Sequence, residues 1–100
     1  MSEISENENQ AELRTFTLEV SNKMGVHARP AAMIVRITSR YEGEIWITKD
    51  DEKINAKSIM GIMMLAAAKG TPLEFEAQCV NASEFETEMT ELFASKFQDE

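Results

Sequence analysis

Phe16, Leu18 and Val20 alternate with Thr15, Thr17 and Glu19, a period of two that predicts a strand with one buried face. After a turn-like Ser21-Asn22-Lys23-Met24-Gly25, a helical period runs from Ala28 to Tyr41, with Ala31, Ile34, Val35, Ile37 and Tyr41 on one stripe. Pro30 is tolerated only in a first turn, where the amide it lacks has no helical partner, so the helix starts within His27–Arg29. Ile45 and Ile47 around Trp46, the charged turn Lys49-Asp50-Asp51-Glu52, and Ile54 and Ala56 around Asn55 predict a hairpin. Ser58 then opens a short apolar helix, with Gly70 expected as its C-terminal cap. Leu73, Phe75, Ala77 and Cys79 alternate with Glu74, Glu76 and Gln78, the clearest strand in the chain. Phe85, Met89, Leu92, Phe93 and Phe97 fall at i, i+4, i+7, i+8 and i+12, an amphipathic helix expected to follow a Ser83 cap.

The order is β-α-β-β-α-β-α, and each strand has one polar face. A single four-stranded antiparallel sheet with three helices on one side and water on the other satisfies that pattern: an α+β, open-faced, two-layer β-sandwich. One hundred residues, 43% of them apolar, suit one modest core. The lone Cys excludes an internal disulfide framework, and one Cys with one His argues against a thiolate or His-rich metal centre. No metal or other cofactor is expected. The apolar run Ile59–Ala68 is half what a membrane helix needs, and the opening residues lack a basic-then-apolar leader pattern. The expectation is a cytoplasmic, monomeric protein that does not insert into membranes.

Charge changes the picture where it is uneven. The formal net charge is -8, yet residues 1–13 hold -4, residues 83–100 hold -5, and the stretch between them holds +1. Residues 1–13 are acidic and poor in apolar groups, so they are expected to form a flexible extension to a domain spanning 14–100. Such acidity argues against binding nucleic acid, whose phosphates need Lys and Arg. From Val20 to Tyr41, however, there are four cations (Lys23, Arg29, Arg36, Arg40) and no acid, around the only His.

With the helix starting at His27, the amides of Ala28 and Arg29 lie near the imidazole and have no intrahelical acceptor. The helix dipole and the Arg29 guanidinium add positive charge, making a place for an anion bonded to, or held beside, the ring. Arg36 and Arg40, seven and eleven residues past Arg29, project within roughly 20° of its direction on a continued helix. That basic stripe suits an acidic partner surface. Taken singly, His27 reads as a cap or solvent-facing residue and Arg29 as an ordinary first-turn Arg.

The string Gly25-Val26-His27-Ala28-Arg29-Pro30-Ala31-Ala32 resembles the active-site signature of HPr, the histidine-containing phosphocarrier family of the phosphoenolpyruvate-dependent sugar phosphotransferase system. A second block, Asn55-Ala56-Lys57-Ser58-Ile59-Met60-Gly61-Ile62-Met63, is similar to that family's segment around its regulatory serine, and the resemblance extends over roughly residues 14–97. It implies a carrier rather than an enzyme: enzyme I would phosphorylate His27 on Nδ1, Ala28 and Arg29 would hold the phosphoryl oxygens, and an enzyme IIA domain would accept the group. It implies a second role for Ser58, phosphorylation by an HPr kinase/phosphatase, with a transcriptional regulator as a further partner. It also places Met60 and Met63 beside His27, so that Ile59, Met60, Met63 and Arg36 form the expected docking surface, although Ile59, Ile62 and Leu65 compete for the core. A regulatory interaction protein acting through Ser58, or a nitrogen-type phosphorelay paralogue, fits the same blocks. Met24 departs from the family, where that loop position is often polar and helps anchor the site. Cys79, inward on its strand, reads as an inert buried thiol.

Overall fold

The computed structural model describes residues 11–99. Its elements are β1 (Glu12–Glu19), α1 (Ala28–Thr38), β2 (Gly43–Lys49), β3 (Glu52–Asn55), α2 (Ile59–Met64), β4 (Pro72–Cys79) and α3 (Ala82–Ala94), followed by a turn over Lys96–Asp99. The strands form one sheet in the order β1-β4-β2-β3, with every neighbouring pair antiparallel. β1 and β2 therefore run parallel on either side of β4, joined by α1. In the same way β3 and β4 flank β2 and are joined by α2. The two split crossovers interlock, and this puts the starts of α1 and α2 in the two connections that cover the sheet.

Register carries the two-faced pattern across the sheet. Phe75 sits opposite Phe16 on one side and Ile47 on the other, Leu73 opposite Leu18, and Ala77 opposite Ile45. The helices cover this face. On the outer face Trp46 pairs with Glu76 and Asn55, while Lys53 Nζ lies 2.9 Å from Glu76 and 5.3 Å from the Trp46 ring centroid. Six of the seven aromatic residues join one cluster: Phe16 stacks on Phe75 at 5.1 Å, Phe85 meets Phe16, Phe75 and Tyr41, and Phe93 bridges Phe75 to Phe97. Such pairs contribute about 0.5–1.5 kcal/mol each beyond the area they bury. Cys79 is buried, and burial raises its thiol pKa, in keeping with an inert thiol.

Four boundaries differ from the sequence expectation. β1 reaches back to Glu12, so Glu12 and Leu13 of the expected extension pair with Cys79 and Gln78; ladder bonds order these residues without burying them. Residues 1–10 of that extension lie outside the described residues. α2 ends at Leu65, well before Gly70, because Ala66 takes a left-handed φ of 50° and turns the chain toward α1. Lys49 Nζ donates to Leu65 O at 2.9 Å, so a cation from β2 satisfies the helix end where Gly70 was expected to. Gly70 instead donates its amide to Val20 O at 2.7 Å. The cap of α3 is Asn81, left-handed at φ 63°, and Ser83 lies inside the first turn. Phe97 is buried against Phe93 at 5.0 Å but is not helical: Lys96, Phe97 and Gln98 all have positive φ, so Phe97 reaches the core by a reversal of the chain.

Between α1 and α3, Tyr41 Oη donates to Glu88 Oε1 at 2.6 Å, and Arg40 Nη2 donates to both Glu88 oxygens at 3.0 and 2.9 Å. The Tyr41 hydrogen bond, then Arg40, lowers the Glu88 carboxyl pKa, whereas burial and then Glu88 raise the Tyr41 phenol. Replacing Tyr41 with Phe is expected to cost about 1 kcal/mol at neutral pH, one charge-assisted bond discounted for partial exposure. A lowered folded-state pKa stabilises above the ordinary carboxylate range and stops doing so as pH falls through the lowered value. The gap between wild type and Tyr41→Phe in urea midpoint should therefore narrow as pH falls below the ordinary carboxylate range. The raised phenol acts oppositely: wild type should lose stability above about pH 10, a limb Tyr41→Phe lacks. A midpoint gap independent of pH would remove the charged partner from this account.

Candidate functional site

The loop from Val20 to Val26 is tied to the segment after α2. Val20 N donates to Thr71 O and Val26 N to Ala67 O, both at 2.9 Å. Inside the loop, buried Asn22 donates through Nδ2 to Gly25 O at 2.7 Å, and the Gly25 amide returns to Asn22 O at 3.4 Å. Gly25 has φ 79°, and a Cβ there would sit 2.7 Å from Ala67 O. Only glycine meets both demands, a left-handed backbone and contact with a neighbouring carbonyl. The loop is thereby drawn tight, and the next two residues turn into α1.

His27 is the N-cap, at φ −93° and ψ −159°, and its side chain makes no capping bond. Its carbonyl accepts from the Ala31 amide at 2.9 Å, the first intrahelical bond. The ring is exposed while Val26 before it and Pro30 after it are buried. The amides of Ala28 and Arg29 lie ahead of that first bond, and no acid occupies the first turn. The result is an accessible imidazole at the positive end of a helix, beside donors suited to oxyanions.

Arg29 shares this end. Its guanidinium is anchored: Nη1 donates to Phe97 O at 3.3 Å, drawing the turn after α3 toward the start of α1. Arg36 is exposed in the last turn of α1. Arg40 does not extend the basic stripe, because α1 ends at Thr38 and Arg40 is committed to Glu88. Thr38 Oγ1 fastens that end to Ala56 O at 2.9 Å, and the chain goes on in tighter turns, Arg40 N to Ile37 O at 3.1 Å and Tyr41 N to Thr38 O at 3.2 Å, so residue 40 leaves the helical register.

Ser58 caps α2, its Oγ accepting the Gly61 amide at 2.9 Å. Ile62 and Leu65 enter the core, whereas Ile59, Met60, Met63 and Met64 remain exposed at 40, 70, 39 and 67%. Ile59 thus leaves the core to its neighbours and joins the surface set. Met63, with Met24, Val26, His27 and Ala66–Ala68, lines a depression of about 310 Å³ beside the imidazole. Met60 is exposed on the same helix but does not line that depression.

Three contributors escaped the sequence reading. Asn22 looked like one turn residue among several, and its burial depends on contacts made only in the fold. Ala67 acts through its carbonyl, which carries no side-chain signal. Phe97 had a signal, its place in the helical period, but that period predicted a helix rather than a carbonyl facing Arg29. Among the described residues, no group of three or more His, Cys, Asp or Glu side chains is placed to hold a metal, and no helix is long and apolar enough to cross a membrane.

Residues 14–95 match the family described as PTS HPr component phosphorylation site. The chain is 42% identical over 81 residues to phosphocarrier protein HPr of Neisseria meningitidis serogroup A, covering 81% of this chain and 91% of that protein. It is also 42% identical over 83 residues to the HPr-like protein Crh of Bacillus subtilis, covering 83% and 93%. Among solved structures, HPr-C-His from Thermoanaerobacter tengcongensis aligns with a TM-score of 0.81 at 41% identity, over 87% of this chain and 98% of that one.

Gly25→Ala is expected to lower stability by about 2 kcal/mol or more, since strain and collision with Ala67 O add. Gly70→Ala, with φ 91° and nothing within 4 Å of its Cβ, should cost only the backbone strain, about 1 kcal/mol. Urea unfolding of both variants checks the pair. Equal losses would mean that the approach to Ala67 contributes nothing.

Proposed function

Because the chain belongs to the HPr family of the phosphotransferase system, we propose that it is a phosphoryl carrier, taking the group from enzyme I on Nδ1 of His27 and delivering it to an enzyme IIA domain. The observation that supports this most directly is the exposed, uncapped imidazole at the start of α1. The ring nitrogen attacks phosphorus with its lone pair, the P–N bond forms, and the donor's bond to phosphorus breaks with its electron pair staying on the donor. The amides of Ala28 and Arg29 and the guanidinium of Arg29 face the charge that develops on the oxygens, so they stabilise the transition state as well as the loaded form. Arg29 exchanges its bond to Phe97 O for the incoming oxygens. The protein catalyses no turnover of its own: it cycles between free and loaded imidazole, as a cytoplasmic monomer. Ile59, Met60, Met63 and Arg36 form the face on which enzyme I and enzyme IIA alternate, thioethers adapting to unlike partners.

The test is incubation with phosphoenolpyruvate and an active enzyme I. Wild type should take up one acid-labile phosphoryl group, His27→Ala none, and Arg29→Ala the same amount at a rate lower by about 100-fold. An unlabelled wild type would end the carrier reading.

A second reading has its own support in the equal identity to Crh and in the position of Ser58 at a helix N-terminus. Phosphorylation of Ser58 by an HPr kinase/phosphatase would place charge where the helix tolerates it and alter the adjoining surface toward a transcriptional regulator. The intact His27–Arg29 pair argues that this accompanies the relay rather than replaces it. A nitrogen-type relay would share the His27 chemistry and differ in its acceptor. Ser58→Ala should lose about 1 kcal/mol of stability through the missing cap and still accept phosphoryl on His27. Regulator binding that requires Ser58 phosphate and survives His27→Ala would favour the regulatory role.

A further inference from the structure

Three side chains with soft or borderline donor atoms, Met24, His27 and Met63, line the one depression of about 310 Å³. Its other walls are Val26 and Ala66–Ala68, so no carboxylate faces it. We propose that this depression is a binding site for a soft monovalent d10 cation, copper(I), held by the two thioether sulfurs and the imidazole.

The donor set decides the metal class. Thioethers are poor ligands for magnesium, calcium or zinc, and the wall offers neither the carboxylates nor the thiolates that hold those ions. Two sulfurs and a nitrogen suit copper(I), which tolerates three-coordinate sites and gains little from charged ligands. The sequence count of one Cys and one His argues against thiolate and His-rich centres but does not address thioethers. Met24 is 59% exposed and Met63 39%, so both long, unbranched side chains have room to turn their sulfurs inward. The backbone beneath them is rigid: Val26 N is bonded to Ala67 O, and Gly25 lies against the same carbonyl. The loop bearing Met24 and His27 is thus fixed relative to the segment that follows Met63. Met24, which departs from the polar residue the family often carries, supplies the donor on the loop side.

A neutral imidazole has one in-plane lone pair, the other nitrogen carrying the proton, so a metal that takes that pair leaves none to attack phosphorus. Binding and loading of His27 therefore compete. The cation site itself does not depend on the carrier reading; only this competition rests on it.

The test uses the full-length, unphosphorylated protein. Copper(I) is titrated without oxygen against a chromophoric copper(I) chelator, and silver(I), a redox-inert substitute, is followed through the methionine methyl resonances. The expected result is about one equivalent bound, with the Met24 and Met63 methyls and the His27 ring shifting and Met60 and Met64 staying in place. Met24→Leu and Met63→Leu should each weaken binding by about tenfold or more, and the double variant Met60→Leu/Met64→Leu should leave it unchanged. No competition with the chelator overturns the site. So does equal shifting of all four methyls, or equal loss in the Met60/Met64 double variant, either of which marks scattered thioether binding. In a parallel assay with enzyme I, silver(I) at a concentration that blocks labelling of wild type should spare Met24→Leu, each protein being compared with its own labelling in the absence of metal. Absence of labelling without any metal would count against the carrier reading and leave the binding result standing.

Discussion

The seam between the loop after β1 and the segment after α2 sets the rest of the site. Three backbone bonds, Val20 N to Thr71 O, Gly70 N to Val20 O and Val26 N to Ala67 O, join two stretches distant in sequence. They satisfy polar groups that neither helix nor sheet could satisfy. They also decide where α1 begins: with Val26 pinned and buried, His27 is the first residue able to leave the seam, and it leaves as an N-cap with its ring outward. The accessibility of the imidazole is thus a consequence of backbone pairing several residues away.

Two opposed charge distributions meet on this frame. The protein is acidic overall, yet the first turn of α1 carries no acid and receives the positive end of the helix together with Arg29. Acidic side chains of α3 bind elsewhere, Glu86 to Arg14 and Glu88 to Arg40 and Tyr41. Those ion pairs keep two carboxylates of α3 engaged with β1 and the end of α1, away from the His27 end. The Phe97 carbonyl supplies a neutral acceptor to Arg29 at 3.3 Å.

The surface around His27 is apolar on one side and cationic on the other. Its apolar side comes from the shortness of α2: six helical residues present Ile62 to the core, and Leu65 at the C-cap joins it, leaving Ile59, Met60, Met63 and Met64 outside. A longer helix could have turned more of them inward. Because Ala66 reverses the chain, the outward methionines end beside the loop that carries Met24, and a depression forms where neither segment alone has one.

Strands and the starts of helices were legible in the residues themselves. Leu73-Glu74-Phe75-Glu76-Ala77-Gln78-Cys79 alternates strictly, and the ladder with β1 and β2 keeps that alternation, since side-chain direction along a strand follows from backbone geometry. Pro30 placed the start of α1 to within a residue, and Ser58 the start of α2, because a missing amide and a hydroxyl acceptor act locally. The same local logic identified His27 and Arg29 as one cluster. Where elements end was decided otherwise. Ala66 and Lys96–Gln98 hold left-handed conformations that these residue types do not favour by themselves, so contacts from other parts of the chain must offset the strain. Such contacts join positions tens of residues apart, among them Lys49 to Leu65 O, Val26 to Ala67 O and Arg29 to Phe97 O. No window of neighbouring residues contains them. Periodicity and capping chemistry therefore determined which elements form and where His27 and Arg29 sit on them, while tertiary pairing alone decided where the helices stop and what faces the imidazole.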